Sequence, residues 1–206
     1  VASSSRVQAP MPALVVVPRS LVSNWQAELA RFAPTLAVRE YTGAKRRADF
    51  AVGEVIITTW GILRRDVDAL SAIRFDTIVA DEAQAVKNAG SKTAIAAHRM
   101  QADHRFALTG TPIENDASEL WSILEFAQPG LLGDRAAFTR HVRSGDAEIR
   151  GAIGRGIAPV LLRRTKREVA PELPDLIEQT VLCDMSEDQA KHYGAFADAA
   201  RRDLES

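Results

Sequence analysis

Four short apolar runs constrain the fold of this 206-residue chain more than any other feature. They are "ALVVVP" (13–18), "EVIITT" (54–59), "DTIVA" (76–80) and "RFALTG" (105–110). The first, short and continuous, is what a strand buried on both faces requires; the other three read as strands, the last ending in glycine. Segments of helical spacing lie between them. "SLVSNWQAELARF" (20–32) sets Leu21, Trp25, Leu29 and Phe32 on one helical stripe, and Ser23 with Gln26 has the spacing of a capping box. "WGILRRDVDAL" (60–70) reads as a turn and helix, and "SKTAIAAHRM" (91–100) as a helix capped by Ser91. "DASELWSILEFA" (116–127) is a helix with an Asp-x-x-Glu start, and "AVREY" (37–41) adds a strand. Strand and helix in alternation imply crossover connections and a parallel sheet, whose ligands sit beyond the carboxyl ends of the strands. Pro18, Thr58–Thr59, Asp81–Glu82 and Thr109–Gly110 all fall at those ends, so four polar groups are expected on one rim.

The pattern changes after "QPGLLGD" (128–134). Residues 134–158 read as helical with glycine interruptions, and 158–175 mix an apolar run, a basic cluster and prolines. The expected organisation is a flexible lead-in at 1–12, a sheet lobe at 13–127, and a helical insertion at 128–175. A returning strand, "LIEQTVLCDM" (176–185), and an amphipathic helix from 186 with a Ser-x-x-Gln cap complete the segment 176–206. The sequence stops within that helix pattern, so truncation is expected. The composition, 46% hydrophobic and 26% charged, is that of a soluble globular chain able to bury a core. The formal net charge of −1 places any nucleic-acid contact on local basic patches. Cys183 is the single cysteine, which excludes an internal disulfide and fits a reducing compartment. The four histidines lack metal-ligand spacing with it, so no zinc is expected. No apolar run reaches the ~18 residues of a membrane span, and the start does not read as a signal peptide.

The chemistry concentrates in "DTIVADEAQAVKN" (76–88). A strand that ends in Asp81–Glu82 has the Walker B arrangement: the first acid serves magnesium, and the second orients or deprotonates the water attacking a terminal phosphate. Magnesium would also offset the repulsion between adjacent carboxylates. The same pair fits an acidic helix N-terminus. "FALTGTPIEN" (106–115) brings hydroxyls and amides to the same rim, or forms a plain turn. Arg19 and Ser20, at a helix N-terminus, suit phosphate or an ordinary strand–helix loop. "ITTWGILRRD" (57–66) offers hydroxyls and Arg64–Arg65 with the same two readings. "LLRRTKRE" (161–168) is either a solvated basic face or a phosphate-contacting element. "GSKT" (90–93) lacks the core of a phosphate loop, and Ser91 as an N-cap explains it.

In order along the chain, "LVVVPRSLVSNWQAELARFAP", "VIITTWGILRRD", "IVADEAQAVKN", "ALTGTPIENDASELWSILEFAQPGLLG" and "LLRRTKREVAPELPD" resemble the Swi/Snf-type ATPases of helicase superfamily two. The resemblance covers about residues 13–193. "LTGTPIEN" with "ELWS" and "LLRRTK" carries its specificity, and DEAD-box RNA helicases have Ser-Ala-Thr where this chain has Thr-Gly-Thr. It implies an α/β, RecA-like lobe with a helical insertion, part of a motor that binds ATP and magnesium and translocates on double-stranded DNA. It implies that Asp81 serves magnesium, Glu82 activates water and Gln84 joins the coupling network. It further implies that Thr109, Gly110 and Thr111 connect nucleotide state to DNA. Pro18, Arg19, Ser20, Thr58, Thr59, Arg163, Arg164 and Lys166 are the DNA-contacting set that the resemblance implies. Implied partners are duplex DNA, a second RecA-like lobe carrying an arginine finger, and a DNA-bound complex such as RNA polymerase. The setting is the bacterial cytoplasm and nucleoid, or the nucleus of a eukaryote. Gln84 stands where many members have His, and Trp60 where Tyr is common; the stretch between His141 and Pro159 is short for the family. A phosphate loop before Ala13 is expected in the parent and is not in this sequence, nor is the second lobe. A non-catalytic helicase-like module that binds DNA or protein is the competing reading.

Overall fold

The computed structural model describes residues 11–111, 117–170, 172, 179–180 and 183–204. Its centre is a five-stranded sheet: β1 (Ala13–Val17), β2 (Val38–Glu40), β3 (Val55–Thr59), β4 (Arg74–Ala80) and β5 (Gln101–Ala107). The order is β2-β3-β1-β4-β5 and every neighbouring pair is parallel. Val17 pairs with Thr59, Val16 with Ala80, and Ala80 with Ala107. This register ends β1, β3, β4 and β5 along one rim.

The continuous apolar run of β1 is explained by a core on each side of it. Leu14 and Val16 belong to one buried cluster with Ile56, Ile78, Ala80, Leu63, Leu70, Ala97, Ile123 and Phe126. Val15 and Val17 belong to another with Val55 and Ile57, against which Trp25 and Leu29 of α1 (Val22–Phe32) pack. Each fully buried Val, Leu or Ile contributes about 1.5–3 kcal/mol of transfer free energy. The larger core is roofed by α2 (Trp60–Arg65), α3 (Val67–Ser71), α4 (Lys92–Arg99) and α5 (Ala117–Ala127).

Local signals account for several helix ends. Ser91 Oγ accepts the Ala94 amide at 3.1 Å and caps α4, as its position suggests. Ser23 does not cap α1. A 3-10 turn, Arg19–Leu21, runs straight into the helix, so the helical path starts before Ser23 can act. Trp60 follows β3 directly, with Thr59 Oγ1 accepting the Ile62 amide, so no separate turn precedes α2, and α3 is a second short helix. Asp116 lies outside the described residues.

Beyond the sheet, α6 (Arg135–Arg143) packs on α5, and α7 (Ala147–Ile157) packs on α6. The α5–α6 connection is a tight turn with Gly130 and Gly133 at φ 83° and 64°, values that favour glycine. Trp121 Nε1 donates to the Gly133 carbonyl at 3.0 Å and fastens the turn to α5. The described chain divides into compact units at Leu161/Leu162, inside the 128–175 stretch, so α6 and α7 belong to the sheet unit. The second unit contains α8 (Lys166–Val169) and α9 (Glu187–Leu204). Ser186 and Gln189 cap α9 reciprocally, at 3.2 and 3.4 Å. The expected strand 176–185 falls largely outside the described residues; 179–180 and 183–185 are neither strand nor helix.

Candidate functional site

The acid pair sits where β4 leaves the sheet. Asp81 still donates its amide to the Val16 carbonyl, 2.8 Å away, so its position is set by β1. Glu82 then turns left-handed, at φ 50° and ψ 54°. It is the one non-glycine residue with positive φ among the described residues. This reversal feeds a 3-10 turn, Ala83–Val86, whose Ala83 and Val86 are fully buried. The Ala83 amide reaches the Leu108 carbonyl at 2.9 Å, and the buried Ser122 hydroxyl of α5 donates to the Val86 carbonyl. The turn after the acids is therefore stitched to β5 and to α5.

A chain of side chains runs along the rim from this turn. Gln84 Nε2 donates to Glu82 Oε2 at 2.7 Å. Thr109 Oγ1 donates to Gln84 Oε1 at 2.8 Å and accepts the Thr111 amide at 3.1 Å. Both ends of one amide side chain are thus used to join the β4 acids to the loop after β5. Gly110 lies exposed in that loop, and among the described residues nothing stands within 4 Å of where its Cβ would be. Packing within the lobe does not demand glycine there.

Asp81 has partners on every polar atom. Trp25 Nε1 of α1 donates to Oδ2 at 2.7 Å, and the Glu82 amide donates to Oδ1 at 2.9 Å. Trp60 Nε1, from the first residue of α2, donates to the Asp81 carbonyl at 3.0 Å. Neither indole is apparent as a site residue from periodicity, which registers only its apolar body. The available signal is chemical: a half-buried tryptophan must find an acceptor for its N–H.

The expected DNA-contacting residues divide. Arg19 and Ser20 are exposed on the 3-10 turn that opens α1, with Pro18 just before them. Arg163 and Arg164 are exposed in the second compact unit, and Lys166 opens α8. Thr58 is a correction. It is 0% exposed and its hydroxyl donates to the Tyr41 carbonyl at 2.9 Å, so its side chain is consumed inside the fold. Thr59 is half-buried and caps α2.

The model of the SNF2-related domain matches residues 2–205. The chain belongs to the SNF2-related family. Among SNF2-related proteins it is similar to YwqA of Bacillus subtilis, whose name describes an ATP-dependent helicase/translocase. The two are 40% identical over 195 residues, 88% of this chain and 21% of YwqA. It is 38% identical over 210 residues to the TATA-binding protein-associated factor mot1 of Schizosaccharomyces pombe, covering 92% of this chain and 11% of that protein. The SWI2/SNF2 ATPase core of Sulfolobus solfataricus, solved in complex with double-stranded DNA, superposes with a TM-score of 0.70 at 35% identity. That match covers 96% of this chain and 43% of the solved one. The parallel sheet flanked by helices is thus the RecA-like fold of an SNF2 ATPase core. The chain spans about a tenth to a fifth of the length of these two curated relatives.

Proposed function

We propose that this chain is part of a DNA-dependent ATPase motor that moves along double-stranded DNA and remodels protein–DNA complexes. The observation that carries the reading is the hydrogen-bonded path Glu82–Gln84–Thr109–Thr111. It ties the acid pair to the loop of the neighbouring strand, which is what a lobe that converts nucleotide state into movement needs. With Oε2 committed to Gln84, Glu82 keeps Oε1 to orient and deprotonate a water at the terminal phosphate. Removing that proton weakens the Gln84 contact, and the same rigid amide passes the change to Thr109.

The donor set suits magnesium. Two adjacent carboxylates are hard oxygen ligands, and among the described residues no group of three or more acids, histidines or cysteines stands in metal-holding position. Magnesium typically takes one or two carboxylates and completes its shell with phosphate oxygens and water. When bound, the ion neutralises charge on the phosphates of ATP. Asp81 would hold it, and Glu82 stands beside it. Thr109, Gly110 and Thr111 complete the nucleotide-side rim.

On the DNA side, Pro18, Arg19 and Ser20 present a helix-opening turn whose amides suit phosphate. The Thr59 hydroxyl accepts its capping bond and keeps its proton to donate. Arg163, Arg164 and Lys166 form the cationic contribution of the second unit. Duplex DNA is the proposed track, and the solved relative is in complex with it. A second RecA-like lobe is the proposed partner in closing the site. The load is a DNA-bound protein: the mot1 relative is named for TATA-binding protein, and RNA polymerase is the bacterial counterpart we favour. The proposed location is the bacterial nucleoid, or the nucleus for a eukaryotic source.

Glu82→Gln in the full-length protein tests this reading. DNA-stimulated phosphate release should fall roughly 10²–10⁴-fold, the usual worth of a positioned proton acceptor, while ATP binding persists. Unchanged turnover would remove Glu82 from the chemistry. A wild-type protein with no DNA-stimulated turnover would instead be the non-catalytic module.

A further inference from the structure

We infer that Trp25 is the positioning residue of the magnesium-side acid, so that α1 sets the Asp81 carboxylate for the nucleotide. The inference rests on the proposed role of Asp81. Fifty-six residues separate the two side chains, yet Trp25 Nε1 and Asp81 Oδ2 are 2.7 Å apart. An indole N–H only donates, and a carboxylate only accepts. The contact therefore fixes which oxygen faces α1. The Glu82 amide occupies Oδ1, and the Asp81 main chain is held on both sides, by the Val16 carbonyl and by Trp60 Nε1. Main chain and carboxylate are thus located independently. Of the two indoles, only Trp25 acts on the carboxylate.

A carboxylate of this kind has about four lone-pair positions, and two are occupied here. The remaining ones present a fixed direction for an ion. Without the indole bond the carboxylate could rotate about its terminal torsion, where the barrier is broad and low. Trp25 lies in the helix whose opening turn carries Arg19 and Ser20, and it packs on the smaller core. A displacement of that turn by bound phosphate thus has a direct mechanical route to Asp81.

The test uses full-length protein and four variants: Trp25→Phe, Trp60→Phe, Asp81→Asn and Asp81→Ala. Phe keeps an aromatic ring and removes the donor. Trp25→Phe should raise the magnesium concentration for half-maximal ATPase by roughly 10–100-fold, the usual cost of losing a residue that orients a metal ligand. The KM for ATP at saturating magnesium should change far less. Trp60→Phe, which loses a bond to the main chain, should shift the magnesium requirement less than Trp25→Phe; equal shifts in both would indicate general loosening and overturn the inference. The readout independent of activity is the indole 1H–15N resonance of Trp25, assigned by its loss in Trp25→Phe. It should move in Asp81→Ala, while that of Trp121, bonded to Gly133, stays. A stationary Trp25 resonance would also overturn the inference; should Trp25→Phe not fold, Trp25→Tyr supplies the same assignment. Loss of turnover in Asp81→Asn with wild-type magnesium dependence in Trp25→Phe would reject the positioning role alone. Full turnover in Asp81→Asn would reject the role of Asp81 itself.

Discussion

Glu82 holds a conformation that its side chain does not favour. A left-handed backbone costs a non-glycine residue about 1–2 kcal/mol, and here the surroundings enforce it. The Asp81 carboxylate takes the Glu82 amide, the Leu108 carbonyl takes the next amide, and Gln84 holds the Glu82 carboxylate. Strain of this kind clusters at functional sites, which agrees with the role proposed for Glu82. It also yields a stability test. In a helix interior glycine is worse than alanine by ~0.5–1 kcal/mol. At position 82 the order should reverse: Glu82→Gly should exceed Glu82→Ala in stability by roughly 1 kcal/mol, measured by denaturant unfolding. An alanine variant as stable as the glycine variant would mean that the left-handed turn does not form in solution. The acid pair stands out by residue type and order, because a strand end leaves a local trace, whereas Gln84 enters only through the family resemblance. The inward turn of Thr58 and the bond from Trp25 leave none, since each depends on a partner that only the folded sheet supplies.

The connection from β2 to β3 behaves as a packed element with no regular structure of its own. Arg46 reaches both carboxylate oxygens of Asp66, at the α2–α3 junction, and the Tyr41 hydroxyl donates to Asp66 Oδ2 at 2.9 Å. Arg39 grips Glu54 with two bonds of 2.7 and 2.8 Å and also pairs with Asp49. Phe50 inserts between Tyr41 and Phe75, with ring centroids 5.3 and 6.4 Å away. The Arg46 hydrogen bonds are the main reason the Asp66 carboxyl lies below its ordinary range, against the opposing effect of burial and with help from Tyr41. A carboxyl depressed in the folded state stabilises above its unfolded pKa of ~3.9, and that contribution disappears as pH falls through the folded value. Asp66→Asn should therefore cost roughly 1.5–3 kcal/mol near neutrality. The gap to wild type should close below about pH 4, as read from thermal melts across pH 3–7. A gap that stays constant over that range would mean that Asp66 stabilises by packing alone. The sequence shows Ser91 and the Ser186–Gln189 pair as caps because a cap is decided within four residues. The anchoring of 41–54 escapes it because Arg46 and Asp66 are 20 residues apart, and no period or motif joins them.

At the scale of the molecule, the proposed nucleotide-side residues and the Arg163–Arg164 pair fall in different compact units. Asp81, Glu82 and the Thr109–Thr111 rim belong to the unit ending at Leu161, and Arg163 and Arg164 to the one beginning at Leu162. Alternation of apolar runs suffices to anticipate the parallel sheet, although β5 runs Gln101–Ala107 and not 105–110, because its first half is polar and carries no apolar signal. The position of the boundary is not apparent, because α6 is tied to the sheet unit through α5, and α7 through α6, by contacts that composition does not record. With a formal net charge of −1, the chain has no global attraction for a polyanion, so duplex binding must rest on a few local cations. Each phosphate contact contributes about 0.9 to the slope of log affinity against log salt. Replacing Arg163 and Arg164 together by alanine should therefore reduce that slope by about 1.8. The loss should be the same for duplexes of unrelated sequence, since phosphate contacts position without reading bases. Titrating labelled duplexes between 50 and 200 mM salt, on the order of the range where such contacts dominate, measures both quantities. A slope unchanged by the double substitution would take the two arginines off the DNA. A loss confined to one sequence would mean that they read base edges.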